Sequence, residues 1–380
     1  MKSVVFVDDE IYILDGLRRS LRKKGVNWEM QFFQQAKDAL KFIKTQPVDV
    51  VVSDMRMPSM NGAEFLQEVQ KHQPNAVRLA LSGQADSRLI LESAHAIHQH
   101  ISKPADIKTI VDTIEHSIDL QDKLSDPNLQ SYVGSLKALP SMPHVYDEIM
   151  QMVGGETYDE KEIAALIEQD VGITATVLRI VNSDFFGNFG NIDTIAEAVS
   201  ILGADTLKNI VLSENLFTQL EHCDWDELKR LNLMSKSVAA LAHKLAGIAK
   251  VSERERDHCQ LAGIVSTLGD MVILDAGEPG HDITSPEISA YMLHWWAMPD
   301  SIVEAVLTHR EEIDSDYINR PEPVSGADCV RAAWFACSDY LSHEPGDRMG
   351  HEAPLRRRLS LLAKDHELAE KWYDKITAMM

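Results

Sequence analysis

Short apolar runs alternate with amphipathic segments over residues 1–124. The runs at Ser3–Val7, Trp28–Gln34, Val50–Val52, Val77–Leu81 and, more weakly, His98–Ser102 read as strands. Between them apolar positions recur at helical spacing, which predicts helices over Ile11–Lys24, Ala36–Thr45, Gly62–His72, Ser87–His95 and Ile107–Leu124. Parallel neighbours need crossover connections, so this alternation predicts an α/β fold with a doubly wound, five-stranded parallel sheet. Val50–Val52 shows no polar alternation, as expected of a strand buried on both faces.

The pattern then changes. Helix Ile107–Leu124 turns polar over Asp119–Lys123 and meets Ser125-Asp126-Pro127, where proline starts a new segment, so the first domain is placed at 1–124. From there apolar positions keep a helical period, with no visible strand pattern. Leu139-Pro140-Ser141-Met142-Pro143 opens a helix to Val153, and others are expected over Thr157–Val171, Thr174–Asn182, Ile195–Leu202, Thr206–Leu220 and Ala327–Leu341. An all-α bundle over 125–345 is expected, with 346–380 as a helical extension carrying a terminal helix pair over Arg356–Met380. The Gly-rich stretch Phe186–Asn191 lacks the spacing and following lysine of a phosphate loop and reads as a connector.

Composition narrows the function classes. A chain of 380 residues with 44% hydrophobic and 25% charged positions has the makeup of a globular protein of two or three domains. The N-terminus reaches acid within ten residues and suits no signal peptide, so a cytoplasmic protein without a membrane association is expected. Net charge of -22 counts against nucleic acid, whose phosphates are met by Lys and Arg. Cys223, Cys259, Cys329 and Cys337 form no CxxC pair and read as buried thiols.

Candidate chemistry gathers at strand ends. Asp8, Asp9 and Glu10 leave the first strand together, Asp54 ends the third, Ser82 follows the fourth, and Lys103-Pro104 follows the fifth. In open parallel sheets ligands sit beyond the carboxyl ends of the strands, although an aspartate there is also an ordinary strand stop or cap. Adjacent acids repel unless a cation neutralises them, and Mg²⁺ prefers such oxygen ligands. If Asp54 accepted a phosphoryl group, Mg²⁺ on Asp9 and Asp54, Lys103 on one phosphoryl oxygen and the Ser82 hydroxyl on another would offset its charge.

These residues carry a resemblance. FVDDE, SDMRMPSMNG, LALSGQAD and ISKPAD make residues 1 to about 120 similar to the flavodoxin-like receiver domain of bacterial two-component response regulators. The resemblance implies that Asp54 is the phosphoacceptor and Asp8 and Asp9 the acidic pocket. It also implies that Ser82 is the switch hydroxyl, Lys103 the paired lysine, and the Arg56 backbone carbonyl a ligand of Mg²⁺. It implies a sensor histidine kinase or phosphotransfer protein as the phosphoryl donor. One departure stands out: the aromatic residue usual three places before the lysine is His100 here.

A second resemblance covers roughly Leu129 to His343. LPSMPHVYDEIMQMV, IEQDVGITATVLRIVNSDFFG, IDTIAEAVSILGADTLKNIV, LAGIVSTLGDMVIL and WWAMPDSIVEAVLTHRE resemble the HDOD domain, a relative of HD-GYP phosphodiesterases. The active relatives hold metals with a His and Asp cluster. Here the His-Asp position is Ser266-Thr267, the early histidine position is Lys236, His309 remains of the later pair, and Asp339 stands at the last acid. The resemblance therefore implies an empty, non-catalytic relative with no cofactor of its own and His309 as a structural histidine. His281-Asp282 lies in a Gly/Pro-rich connector and reads as a turn, with Thr284 or Ser285 capping the helix near Pro286. His294, Trp295 and Trp296 read as core or interdomain aromatics.

The expected function is a phosphorylation-dependent response regulator whose HDOD domain relays the signal to an unidentified downstream signalling protein by contact. Phosphorylation should draw Ser82 toward the phosphate and shift the face made by helix 87–95 and strand 98–102. Helix Ile107–Leu124 is a candidate contact for a homodimer. The alternatives are a cyclic-dinucleotide phosphodiesterase or a cyclic-dinucleotide sensor of the HD-GYP type.

Overall fold

A computed structural model describes residues 1–83, 96–123, 126–136, 139–153, 159–182, 192, 194–212, 217–218, 224–280, 282–296, 298–312, 323–341, 352–363 and 365–379. The expected helix 87–95, the Gly-rich stretch 186–191, His281 and Cys223 lie outside the described residues.

The first region alternates as expected: β1 (Lys2–Val7), α1 (Ile11–Lys24), β2 (Trp28–Phe33), α2 (Ala36–Ile43), β3 (Val50–Asp54), α3 (Gly62–His72), β4 (Val77–Ser82), β5 (Gln99–Ser102) and α4 (Ile107–Lys123). The strands pair in parallel in the order β2-β1-β3-β4-β5. The period of two divides the core between the two faces of the sheet. Val4, Phe6, Val50 and Val52 pack with Leu14, Ile110 and Ile114, while Val5, Val7 and Val51 pack with Leu40, Phe65 and Leu66. Gly25 ends α1 in the left-handed region (φ 72°), and Asn61 caps α3 by accepting from the Glu64 amide at 2.8 Å.

The second region is helical. It comprises α5 (Pro127–Gly134), α6 (Pro143–Val153), α7 (Glu160–Ile167), α8 (Val171–Val181), α9 (Ile195–Leu212), α10 (Trp225–Ala249), α11 (Glu253–Ile264), α12 (Leu268–Ala276), α13 (Ser285–Trp295), α14 (Asp300–Thr308) and α15 (Gly326–Leu341). A short 3₁₀ turn, Val265–Thr267, joins α11 to α12. Asp126 caps α5 by accepting from the Asn128 amide at 2.8 Å, with Pro127 in the first turn.

Two details differ from the sequence reading. Leu139–Pro140 and Phe217–Thr218 form a two-stranded parallel pair, β6 and β7, so the bundle is not wholly without strands, and Phe217 and Thr218 are not helical. Strands of two residues are too short for period-two alternation to show. The helix expected over 157–171 breaks where Asp170 accepts from the Ile173 amide at 2.8 Å and starts α8. Gly203, at φ 69° and ψ 167°, interrupts the helical backbone inside α9, which parts its two halves between the expected helices 195–202 and 206 onward.

The extension folds back as α16 (Glu352–Ala363) and α17 (His366–Thr377). Trp372, fully buried, donates from Nε1 to the Leu245 carbonyl of α10 at 3.1 Å. Cys259, Cys329 and Cys337 are free and buried. One stretch, Glu253–Ala276, is apolar and long enough to cross a membrane by composition, yet 67% of its apolar window is buried inside the protein.

Candidate functional site

The carboxyl ends of β1, β3, β4 and β5 bring the predicted residues together. Asp54 is the last residue of β3, between β1 and β4, and is almost fully buried. Its Oδ2 accepts from the Arg56 amide at 2.7 Å, and its Oδ1 accepts from Lys103 Nζ. Lys103 Nζ also donates to Asp8 Oδ2 at 3.1 Å, so one ammonium bridges two carboxylates that would otherwise repel. Asp8 is held from its other side, where Oδ1 accepts from the Glu10 amide at 2.9 Å.

Backbone geometry fixes these positions. Lys103 N donates to the Ser82 carbonyl at 2.7 Å, so the lysine leaves the sheet beside β4, and its bond to Pro104 is cis. Gly62 N donates to the Met55 carbonyl at 3.0 Å, folding the loop after β3 onto the strand end. A Cβ at Gly62 would collide with the Asp54 carbonyl, which explains glycine there. The Lys103 ammonium is half-buried. Burial pulls its pKa down, but the hydrogen bond and charge of Asp54 and the charge of Asp8 outweigh this and raise it, so it stays charged.

Ser82 is buried, and its Oγ has no hydrogen-bond partner. A buried hydroxyl without a partner is costly, and at this strand end an incoming oxygen acceptor would relieve it. Asp9 is half-exposed at the rim. Among the described residues no three His, Cys, Asp or Glu side chains gather closely enough to bind a metal by themselves. Mg²⁺ does not require three, because it is commonly held by one or two carboxylates with waters completing the shell. The donor set of Asp8, Asp9, Asp54 and the Arg56 carbonyl fits that chemistry.

His100 lies beside Ala80 in the β4–β5 register, two residues before the level where Ser102 faces Ser82. It is buried, and burial followed by the charge of Arg179 lowers its pKa to about 3, so the imidazole is neutral.

The helical region treats its HD-type positions differently. Ser266 donates to the Gly263 carbonyl at 2.7 Å and Thr267 to the Leu231 carbonyl at 3.4 Å, both fully buried. His309 is fully buried with both ring nitrogens engaged: Nδ1 contacts the Val306 carbonyl at 2.6 Å, and Nε2 accepts from Arg310 Nε at 3.0 Å. Burial and then the Arg310 charge lower its pKa to about 3. Asp339 pairs with Arg358 at 3.2 Å. Lys236 is half-exposed on α10.

Sequence reasoning missed two charged residues. Arg310 pairs through both terminal nitrogens with Asp270 and lies 4.2 Å over the Trp334 ring. No local signal joins residues 40 positions apart. Arg78 is buried within β4, where it donates to the carbonyls of Ala96 (2.6 Å), Pro74 (2.8 Å) and Ala76 (2.8 Å). A lone arginine inside an apolar strand was itself a visible signal.

Comparison with known proteins assigns both regions. Residues 4–115 match the model of the response regulator receiver domain, and residues 139–280 match that of the HDOD domain. The chain is 30% identical over 179 residues to the hydrogenase transcriptional regulatory protein HoxA of Cupriavidus necator, covering 43% of this chain and 36% of HoxA. It is 24% identical over 246 residues to an uncharacterized protein of Treponema pallidum, covering 58% of this chain and 45% of that one. The chain thus spans less than half the length of these two relatives. Among solved structures, the MmoQ response regulator of Methylococcus capsulatus is 15% identical, covers 62% of this chain and 98% of its own, and aligns with a TM-score of 0.47. An uncharacterized protein from Neptuniibacter caesariensis is 31% identical, covering 33% of this chain and 95% of its own at a TM-score of 0.31. The chain belongs to the response regulators, with a receiver domain over residues 4–115 followed by an HDOD domain over residues 139–280.

Proposed function

We propose that the chain is a phosphorylation-dependent regulator in which Asp54 accepts a phosphoryl group from a histidine kinase or phosphotransfer protein. The observation that carries this reading is the Lys103 bridge between Asp54 and Asp8 beside the unpartnered Ser82 hydroxyl. In the transfer, an Asp54 oxygen bonds to phosphorus as the phosphorus–nitrogen bond of the donor phosphohistidine breaks. The imidazole leaves as the neutral ring after taking up a proton. Lys103 and Ser82 then face oxygens of the new acyl phosphate. Mg²⁺ on Asp8, Asp9, Asp54 and the Arg56 carbonyl would supply charge neutralisation. The acyl phosphate hydrolyses slowly and resets the protein.

In this reading residues 1–124 receive the signal. Residues 125–345 deliver it without catalysis, by contact with another protein, and residues 346–380 support them. Support for a non-catalytic output comes from His309, whose ring nitrogens are both engaged within the protein, and from the hydroxyls of Ser266 and Thr267, which are turned to backbone carbonyls. We place the protein in the cytoplasm, where kinase and output partner meet.

Incubating the full chain with acetyl phosphate and Mg²⁺ and weighing it intact tests the reading. A mass gain of one phosphate in wild type and none in Asp54→Asn supports it. An equal gain in the variant refutes it. Metal analysis and a cyclic-dinucleotide hydrolysis assay on the full chain test the output. Turnover with a bound transition metal would replace the relay by a phosphodiesterase.

A further inference from the structure

The helical region meets the receiver along its edge strand. β5 ends the sheet, and an uncovered edge strand exposes unpaired backbone groups. His98, immediately before β5, stacks on Trp295 at the end of α13 with ring centroids 4.5 Å apart. The His98 ring is tied to the receiver, because its Nδ1 accepts from the Arg78 amide at 2.9 Å and its Nε2 lies 3.3 Å from Arg78 Nη2. Farther along the strand, buried His100 feels the charge of Arg179 from α8, and Arg179 in turn lies 5.9 Å from the Trp296 ring centroid. Gln70 of α3 donates at 2.9 Å to the carbonyls of both Gly134 and Leu136, which fastens the receiver to the segment entering the bundle.

Polar atoms at this seam are left without partners. His100 Nδ1, Arg179 Nε and Trp295 Nε1 are all buried without a hydrogen-bond partner. Each such group is disfavoured relative to a hydrated one. Parting the surfaces would hydrate these groups, so polar desolvation opposes the apolar stacking that holds the seam. The same strand reaches the phosphoacceptor site. Ser82 pairs with Ser102 and Ala80 with His100, so the unpartnered Ser82 hydroxyl and the unpartnered His100 nitrogen lie two levels apart on one strand pair, with Leu81 and Ile101 between, and Lys103 follows Ser102 directly.

Resting on the reading of Asp54 as phosphoacceptor, we propose that Trp295 and Arg179 of the helical region form a latch on His98 and His100 at β5, which opens when Asp54 is phosphorylated. A ligand shifts a two-state equilibrium only through a difference in affinity between the states. The difference here is at Ser82, whose hydroxyl gains an acceptor in the phosphorylated protein, and at Lys103, which exchanges a carboxylate for a phosphoryl oxygen. Both changes displace the end of the strand pair that His98 and His100 share with the seam. Opening frees the α13 end with Trp295 and Trp296.

Hydrogen exchange on the full chain, read by mass spectrometry with and without acetyl phosphate and Mg²⁺, tests the latch. Phosphorylated wild type is expected to exchange about tenfold faster over residues 98–102 and 285–296, in line with ordinary allosteric coupling. Trp295→Ala and, with less disturbance of packing, Arg179→Gln should show that faster exchange without phosphate. A phosphate mass gain with unchanged exchange in both segments overturns the latch while leaving the reading of Asp54 standing. Absence of the mass gain overturns the reading of Asp54 and the latch with it. Variants as protected as unphosphorylated wild type overturn the assignment to these two residues.

Discussion

Asp54 and Lys103 meet although they leave strands that are not neighbours: β4 lies between β3 and β5, and Lys103 Nζ reaches past its end to Asp54 Oδ1. The same ammonium holds Asp8, so its loss leaves two carboxylates facing each other across the strand ends. Replacing Lys103 by Met should therefore destabilise the protein by about 1–3 kcal/mol, less than a fully buried pair because the lysine is partly exposed. Added Mg²⁺ should recover more stability in Lys103→Met than in wild type, since it then provides the missing positive charge. Thermal melts of both proteins with and without Mg²⁺ check this, and an equal Mg²⁺ response would contradict it.

Asp170 is fully buried at the start of α8 and accepts from the amides of Met142 at 2.5 Å and Ile173 at 2.8 Å. Asp170→Ala would strand both donors in the core and should cost about 2–5 kcal/mol in denaturant unfolding. Burial pushes the carboxyl up to about 6 against the pull of these amides. A raised folded pKa gives stability that is present in acid and lost as pH rises through about 6. Asp170→Asn should therefore be less harmful at about pH 8 than at about pH 5, both being read with the same denaturant.

His100 and His309 act in the opposite sense. Both are buried and neutral, with pKa values lowered to about 3, chiefly by burial and then by Arg179 and Arg310 respectively. Burial also lowers the pKa of His98, with Arg78 adding to the effect. The unfolded chain takes up protons that these folded rings refuse. Their contribution is complete above the ordinary histidine range and is lost as pH falls from about 6.5 toward 3, by at most about 1.4 kcal/mol per pH unit for each ring. His100→Phe should flatten the acid limb of the stability profile, and an unchanged slope would contradict a neutral buried ring.

The receiver was largely legible because its signals are local. Val50–Val52 announces a central strand, and Asp54, Ser82 and Lys103 follow their strands at short range, so the sheet order placed them together without long-range information. The helical period from Gly62 marked α3, while the Asn61 cap at its start emerged only from the structure. In the helical region the apolar period gave helices but not their breaks, since the Asp170 cap and the β6–β7 pair depend on contacts distant in sequence. The pairing of Arg310 with Asp270 and the stacking of His98 on Trp295 were invisible for the same reason: nothing local says which distant partner a side chain will meet. Thr284 was legible, because its amide and hydroxyl both reach Glu287 three residues on, at 2.8 and 2.7 Å.

Divalent ions should act at the receiver alone. Titrating Mn²⁺ into the full chain should raise the melting temperature of wild type, and Asp9→Asn combined with Asp54→Asn should abolish the rise. A rise of the same size in the double variant would place an ion elsewhere and contradict the donor set proposed here.

The central claim concerns one carboxylate. Borohydride reduces an acyl phosphate to an alcohol, so protein treated with acetyl phosphate and Mg²⁺, reduced and digested should carry homoserine at position 54. Homoserine there and at no other aspartate is the predicted result. Homoserine at another aspartate, or at none in protein that has gained phosphate, would contradict the account.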